Sequence, residues 1–195
     1  MRVASGIFVW TIKVSFVIML SAWFVKACRC PTKHPQKEYC EADYVILMNV
    51  TGIEESDENR VVYRFEMLEE FKMTDDARRA LSHRLLVVPG HKISCHLKLE
   101  FTSYLIGGKK KGKRLPSITM CNIVSGWNSL TSMQQLGYSG VYELGCSCVG
   151  DRDVMCKWDN KQCQIRHSLC AVQKEQCIWA ENQEYRHCVR EDQHQ

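Results

Sequence analysis

Val61-Val62-Tyr63-Arg64-Phe65-Glu66-Met67 is the stretch on which the fold turns. Val61, Tyr63, Phe65 and Met67 share one face of an extended chain, and Val62, Arg64 and Glu66 the other. Successive side chains of a strand point to opposite faces, so this period of two marks a half-buried β-strand. Upstream, Tyr44, Ile46, Met48 and Val50 alternate in the same way, but the residues between them are also mostly apolar. That pattern predicts a strand buried on both sides. Leu85–Val88, closed by Pro89-Gly90, and Tyr104–Ile106, closed by Gly107-Gly108, read as further short strands. Leu97, Leu99 and Phe101 alternate with His96, Lys98 and Glu100 and predict another half-buried strand. Ile123, Trp127, Leu130 and Met133 follow helical spacing, which predicts a helix over 123–136. Several short strands with one or two helices in this span suggest a small closed, OB-like barrel, though a sandwich has the same composition.

The cysteines divide the chain. Twelve are present, all from Cys28 onward: six fall in 28–146 and six crowd into 148–188. This predicts a larger unit with an apolar core, residues 28–146, and a small unit of short strands and turns held by disulfides, residues 147–195. Residues 1–27 read as a signal peptide. Arg2 and Lys13 are followed by an apolar run from Val14 to Val25, and Val25 and Ala27 are small at the −3 and −1 positions. That run is too short to span a bilayer comfortably, and no other apolar stretch is long enough, so a protein that does not span the membrane is expected. Cleavage removes Arg2, Lys13 and Lys26 and lowers the formal charge from +4 to +1. Near-neutrality argues against nucleic acid as a partner. An even number of cysteines behind a signal peptide implies disulfides and a secreted, extracellular protein. No Cys-x2-Cys pair favours zinc held by thiolates, and no Ser/His/Asp or Cys/His catalytic arrangement stands out, so an enzyme is not expected.

If the cut falls after Ala27, Cys28 becomes N-terminal. Its free α-amine and its carbonyl oxygen are then adjacent lone-pair donors, able to chelate a metal held by another protein. An internal cysteine lacks that amine.

The ordered motifs resemble the tissue inhibitors of metalloproteinases. They begin at Cys28-Arg29-Cys30-Pro31-Thr32-Lys33-His34-Pro35-Gln36 and Cys40. Ala42-Asp43-Tyr44-Val45, Tyr104-Leu105-Ile106-Gly107-Gly108-Lys109, Ile118-Thr119-Met120-Cys121, Trp127, Leu130 and Gly145-Cys146 follow in order. The resemblance implies a mainly β fold with short helices: an N-terminal netrin-like, OB-like five-stranded barrel and a small disulfide-rich C-terminal domain. It implies the disulfides Cys28–Cys95, Cys30–Cys121 and Cys40–Cys146, and suggests Cys148–Cys177 and Cys156–Cys170. Cys163 and Cys188 depart from the family pattern and would pair with each other.

The resemblance also implies a function: inhibition of matrix-type zinc metalloproteinases by a monomer in 1:1 complexes. The Cys28 amine and carbonyl would bind the target's zinc, so the chain needs no cofactor of its own beyond that shared ion. Cys28, Arg29, Cys30 and Pro31 would form the main contact, with Lys92, Ile93 and Ser94 as a second strip. The family usually carries Thr or Ser after its first cysteine, where this chain has Arg29. The other reading is a non-inhibitory netrin-like module that docks matrix or a receptor. The run Lys109-Lys110-Lys111-Gly112-Lys113-Arg114 could serve heparan sulfate or matrix, or be a solvated hairpin loop. Asn49-Val50-Thr51 is a glycosylation sequon near an expected strand end. His34 reads as structural, and Trp158 and Trp179 as packing within the small unit.

Overall fold

A computed structural model describes residues 28–92, 96–110, 112, 115–148, 156 and 162–192. Residues 1–27, expected from the sequence to be a signal peptide, and Ile93, Ser94, Cys95, Lys111, Lys113, Arg114 and Trp158 lie outside them. The protein is mainly β. Strands β1 (Tyr44–Ser56) and β2 (Arg60–Met73) form a long antiparallel hairpin. Its turn is built by Asp57, whose carboxylate accepts from the Asn59 and Arg60 amides at 2.6 and 2.9 Å. β3 (Leu85–Pro89), β4 (Ser103–Gly108) and β5 (Ile123–Ser125) complete a sheet of order β3-β2-β1-β4-β5.

The expected barrel is not closed, because β3 and β5 do not pair. The segment before β5 crosses part of the gap instead. The Val87 amide donates to the Pro116 carbonyl at 2.9 Å, and the Ile118 amide to the Val87 carbonyl at 3.0 Å.

β1 is buried on both faces, and each face belongs to a different core. Tyr44, Ile46, Met48 and Val50 pack with Tyr63, Phe65, Leu86, Val88, Ile106 and Ile118. This barrel core is capped by Ala77 and Leu81 of a helix, Asp75–Leu81. That helix begins at the N-cap Thr74, with Asp75 and Asp76 in its positive first turn. On the other face, Val45 and Leu105 join Tyr39, Ile123, Tyr138, Tyr142 and Leu169 in a second core. Tyr39, Tyr138 and Tyr142 form an aromatic cluster there, with centroids 5.1 to 6.2 Å apart.

Two period readings are corrected. Residues 97–101 are not a strand: Leu99 alone is buried, and Phe101 is 66% exposed. Tyrosine hydroxyls replace a partner strand, Tyr63 accepting from the Leu99 amide at 3.2 Å and Tyr104 from the Glu100 amide at 3.1 Å. The helix expected over 123–136 starts only at Ser132. Ile123 instead pairs with Gly107 as part of β5. Thr131 sets the later start through a capping box with Gln134. The helix is broken by a kink at Gly140, whose φ of 121° is non-helical, and a short helical turn, Tyr142–Leu144, follows.

The C-terminal part contains a hairpin, β6 (Ser168–Gln173) and β7 (Gln176–Glu181). It also contains two helices that turn signals did not reveal, Gln162–His167 and Gln183–Asp192. Disulfides join Cys30–Cys121, Cys40–Cys146, Cys148–Cys177, Cys156–Cys170 and Cys163–Cys188. The first two close loops of 91 and 106 residues. In the chain-entropy model each contributes on the order of 4–5 kcal/mol.

Candidate functional site: the N-terminal ridge

Cys28 to Pro31 form a surface segment without regular secondary structure. Cys28 is half-buried, and Arg29, Cys30 and Pro31 are exposed. Cys28 is disulfide-bonded, and its expected bond to Cys95 lies outside the described residues. Its sulfur sits 3.9 Å from Cys121 Sγ, so the bond made by Cys28 lies beside Cys30–Cys121. The sulfurs of Cys28, Cys30 and Cys121 thus gather as oxidised disulfides rather than as thiolate ligands. The same holds for Cys163 and Cys188, gathered near Asp192. Arg29 makes no hydrogen bond or ion pair among the described residues.

Behind the segment, the chain is fixed by His34-Pro35-Gln36. His34 caps the helix Pro35–Glu41: its Nδ1 accepts from the Gln36 amide at 3.2 Å, and Pro35 occupies the first position of that helix. The His34 ring is buried, lies 3.3 Å from the Gln164 carbonyl through Nε2, and packs on Trp179. Burial lowers its pKa to about 4, against a smaller upward pull from the Gln164 carbonyl, so the ring is neutral at physiological pH. Gln36 is wholly buried. Its amide donates to the Tyr142 and Cys170 carbonyls at 3.1 and 2.9 Å, and its carbonyl accepts from the Cys170 amide at 2.7 Å. A side chain in the first turn of the helix therefore ties the N-terminal segment to β6. Lys72 closes the other end of the helix, donating at 2.9 Å to both the Tyr39 and Cys40 carbonyls.

A cleft of about 900 Å³ opens beside the ridge, lined in part by Lys33, Glu38, Val87, Cys121 and Ile123. Lys33 pairs with Glu41 at 2.6 Å. Burial raises the Glu38 carboxyl to about 7, and Lys33 only partly offsets this, so Glu38 titrates near neutrality. Met120, 49% exposed, precedes Cys121 and adds apolar surface beside the ridge. In the sequence Met120 stands only within the family-like run Ile118-Thr119-Met120-Cys121, and no local pattern marks it as exposed.

Of the second strip, only Lys92 is described. It is exposed and paired with Glu58. Asn49 lies within β1, opposite Glu66 and Ser103, rather than near a strand end, and its side chain is half-buried. β1 runs on to Ser56 because β2 pairs with it throughout. In the basic run, Lys109 is exposed, and the Lys110 amide donates to Asp43 at 2.7 Å. No helix among the described residues is long and apolar enough to cross a membrane.

A family model for the tissue inhibitors of metalloproteinases matches residues 26–194, and the chain belongs to that family. Over 186 residues it is 27% identical to the tissue inhibitor of metalloproteinase of Drosophila melanogaster, covering 84% of this chain and 86% of that protein. It is 30% identical over 132 residues to metalloproteinase inhibitor 2 of Canis lupus familiaris, covering 63% of this chain and 59% of that protein. The human metalloproteinase inhibitor 2 is 26% identical over 151 residues, covering 71% and 67%.

Proposed function

We propose that this protein is a secreted inhibitor of zinc metalloproteinases whose mature N-terminus, Cys28, binds the target's catalytic zinc. The observation that carries the reading is the surface segment Cys28–Pro31, with Cys28 half-buried and Arg29, Cys30 and Pro31 exposed, fastened by adjoining disulfides at Cys28 and Cys30, in a chain of this family. A catalytic zinc site keeps one coordination position for water. The Cys28 amine and carbonyl oxygen would take that position and remove the nucleophile. The disulfides hold the segment before binding, so little conformational freedom is lost on association.

Adding one Ala before Cys28 should abolish inhibition with the thermal midpoint unchanged. An extended protein that inhibits at full strength would refute chelation. The free amine titrates at about 7.7–8.0 and binds zinc only when deprotonated, so inhibition should weaken as pH falls below that range.

Arg29 would point toward the specificity pocket of the target. A guanidinium there without a partner is poorly accommodated. Arg29→Thr should tighten binding to proteases with deep apolar pockets by about 1–3 kcal/mol. Inhibition constants across a protease panel decide this, and no gain on any member would mean that Arg29 finds a partner or stays outside.

A further inference from the structure

The cover over the outer face of β1 stops part-way along the strand. Val45 and Leu105 are buried in the second core. Leu47, two residues on and paired with Leu105, is half-buried and joins neither core. On the hairpin partner, the register of β1 and β2 shifts between Leu47 and Met48, and Leu68 stands in that bulge, 48% exposed. Asn49 lies on the same face as Leu47, since Met48 and Val50 point into the barrel core. Two residues of strand place it about 7 Å further along. Asn49 is also the acceptor of the sequon Asn49-Val50-Thr51. Its side-chain carbonyl accepts from the Ser103 hydroxyl at 3.5 Å. Its Nδ2, the nitrogen to which a sugar is attached, has no hydrogen-bond partner among the described residues. Thr51 and Glu66, which flank it, are exposed.

We propose that Asn49 carries an N-linked glycan whose first sugar rings cover Leu47 and Leu68, closing with carbohydrate the part of the sheet that the second core leaves bare. A sugar ring has an apolar C–H face, and laying it on the two leucines removes apolar surface from water. The proposal rests on the reading of the chain as secreted, which brings it past the transferase. In the transfer, a bond forms between Nδ2 and the anomeric carbon of a lipid-diphosphate oligosaccharide. The bond from that carbon to the diphosphate oxygen breaks, the lipid diphosphate leaves with the electron pair, and Nδ2 loses a proton. The fold sets the order of events. In the finished sheet Asn49 is held between Glu66 of β2 and Ser103 of β4. The Thr51 hydroxyl, which the sequon needs, donates to the Arg64 carbonyl at 3.2 Å. Transfer therefore precedes the pairing of β1 with β2.

Expression of the full chain in a secretory eukaryotic host tests this, beside Asn49→Gln, Thr51→Ala and Thr51→Ser. Wild type and Thr51→Ser, which keeps the sequon, should be exported with added mass that a peptide N-glycanase removes. Asn49→Gln and Thr51→Ala should lack that mass. The covering is read from thermal midpoints. Asn49→Gln should lower the midpoint by about 2–4 °C, and in a Leu68→Ser background the same substitution should lower it much less. The bond to Ser103 is lost equally in both backgrounds, so the difference reports the contact between glycan and leucine. Thr51→Ala, which leaves Asn49 in place, should give the same pair of shifts. An exported wild-type chain without the glycan overturns the proposal alone. A glycosylated chain whose midpoint falls equally in both backgrounds overturns the covering of Leu68. A chain that is not exported overturns the secreted reading and this one with it.

Discussion

The two faces of β1 are built in different ways. The buried residues of the barrel core run from Tyr44 to Ile118 among the described residues, with Val124 packed against them. The second core begins at Tyr39, runs through Ile123, Tyr138 and Tyr142, and is completed by Leu169, with Ala171 and Ala180 packed against it. The barrel face is thus made by strands of one sheet and by the helix and loop residues that connect them. The other face is closed from the far end of the chain, and its polar seam is Gln36, bonded to Cys170. The difference teaches that the expected boundary near residue 146 separates cysteine densities rather than cores.

The largest expected effect comes from removing one side of that comparison. The fragment 28–147 retains the whole barrel core, Cys30–Cys121 and Cys40–Cys146. It should fold and inhibit, but with roughly 3–6 kcal/mol less stability, from the lost packing of Leu169 and the unpaired Gln36 amide. Thermal unfolding and an inhibition assay of the fragment check this. A fragment that does not fold would mean that the two cores are one cooperative unit.

A smaller change isolates the seam. Gln36→Leu should cost the full chain about 1–3 kcal/mol, because the Tyr142 and Cys170 groups stay buried without their partner. In the 28–147 fragment, where Cys170 is absent, the same substitution should cost much less. Equal costs in both backgrounds would show that Gln36 matters within the barrel unit and not across the seam.

The smallest effect separates the seam from the cleft by pH. His34 has its pKa lowered to about 4 from 6.5, so its contribution is present above about 6.5 and is lost as pH falls toward 4. Glu38 is raised to about 7 from 4.5, so the folded state holds the extra proton and Glu38 lowers stability as pH rises from about 4.5 through 7. Glu38→Gln should therefore stabilise the protein at pH 8 by ~1–2 kcal/mol once solvent screening is allowed for. The gain should vanish near pH 4. Chemical denaturation at the two pH values measures it, and a gain that does not change with pH would mean that Glu38 acts through packing.

Much of this protein is legible from one sequence. The alternation in Val61–Met67 and the doubly apolar Tyr44–Val50 place two adjacent strands, because side-chain direction is a local property of an extended chain. The cysteine spacing separates the two regions, and the order of motifs from Cys28 to Cys146 points to the family. Other features lie beyond any local reading. The pattern at Leu97–Phe101 has a strand's period, yet Tyr63 and Tyr104 supply hydroxyls where a partner strand was expected. Ile123 has helical neighbours in sequence, yet its partner is Gly107 on β4.

The sequence by itself determined which residues are apolar, how they alternate and where disulfides were possible. Only the tertiary structure decided that β3 and β5 stay unpaired, that Leu169 completes a core begun at Tyr39, and that Gly90 lies against Glu58. The reason is physical. Alternation and capping act over a few residues, whereas these contacts join groups thirty to more than a hundred residues apart, whose encounter depends on the path of the whole chain.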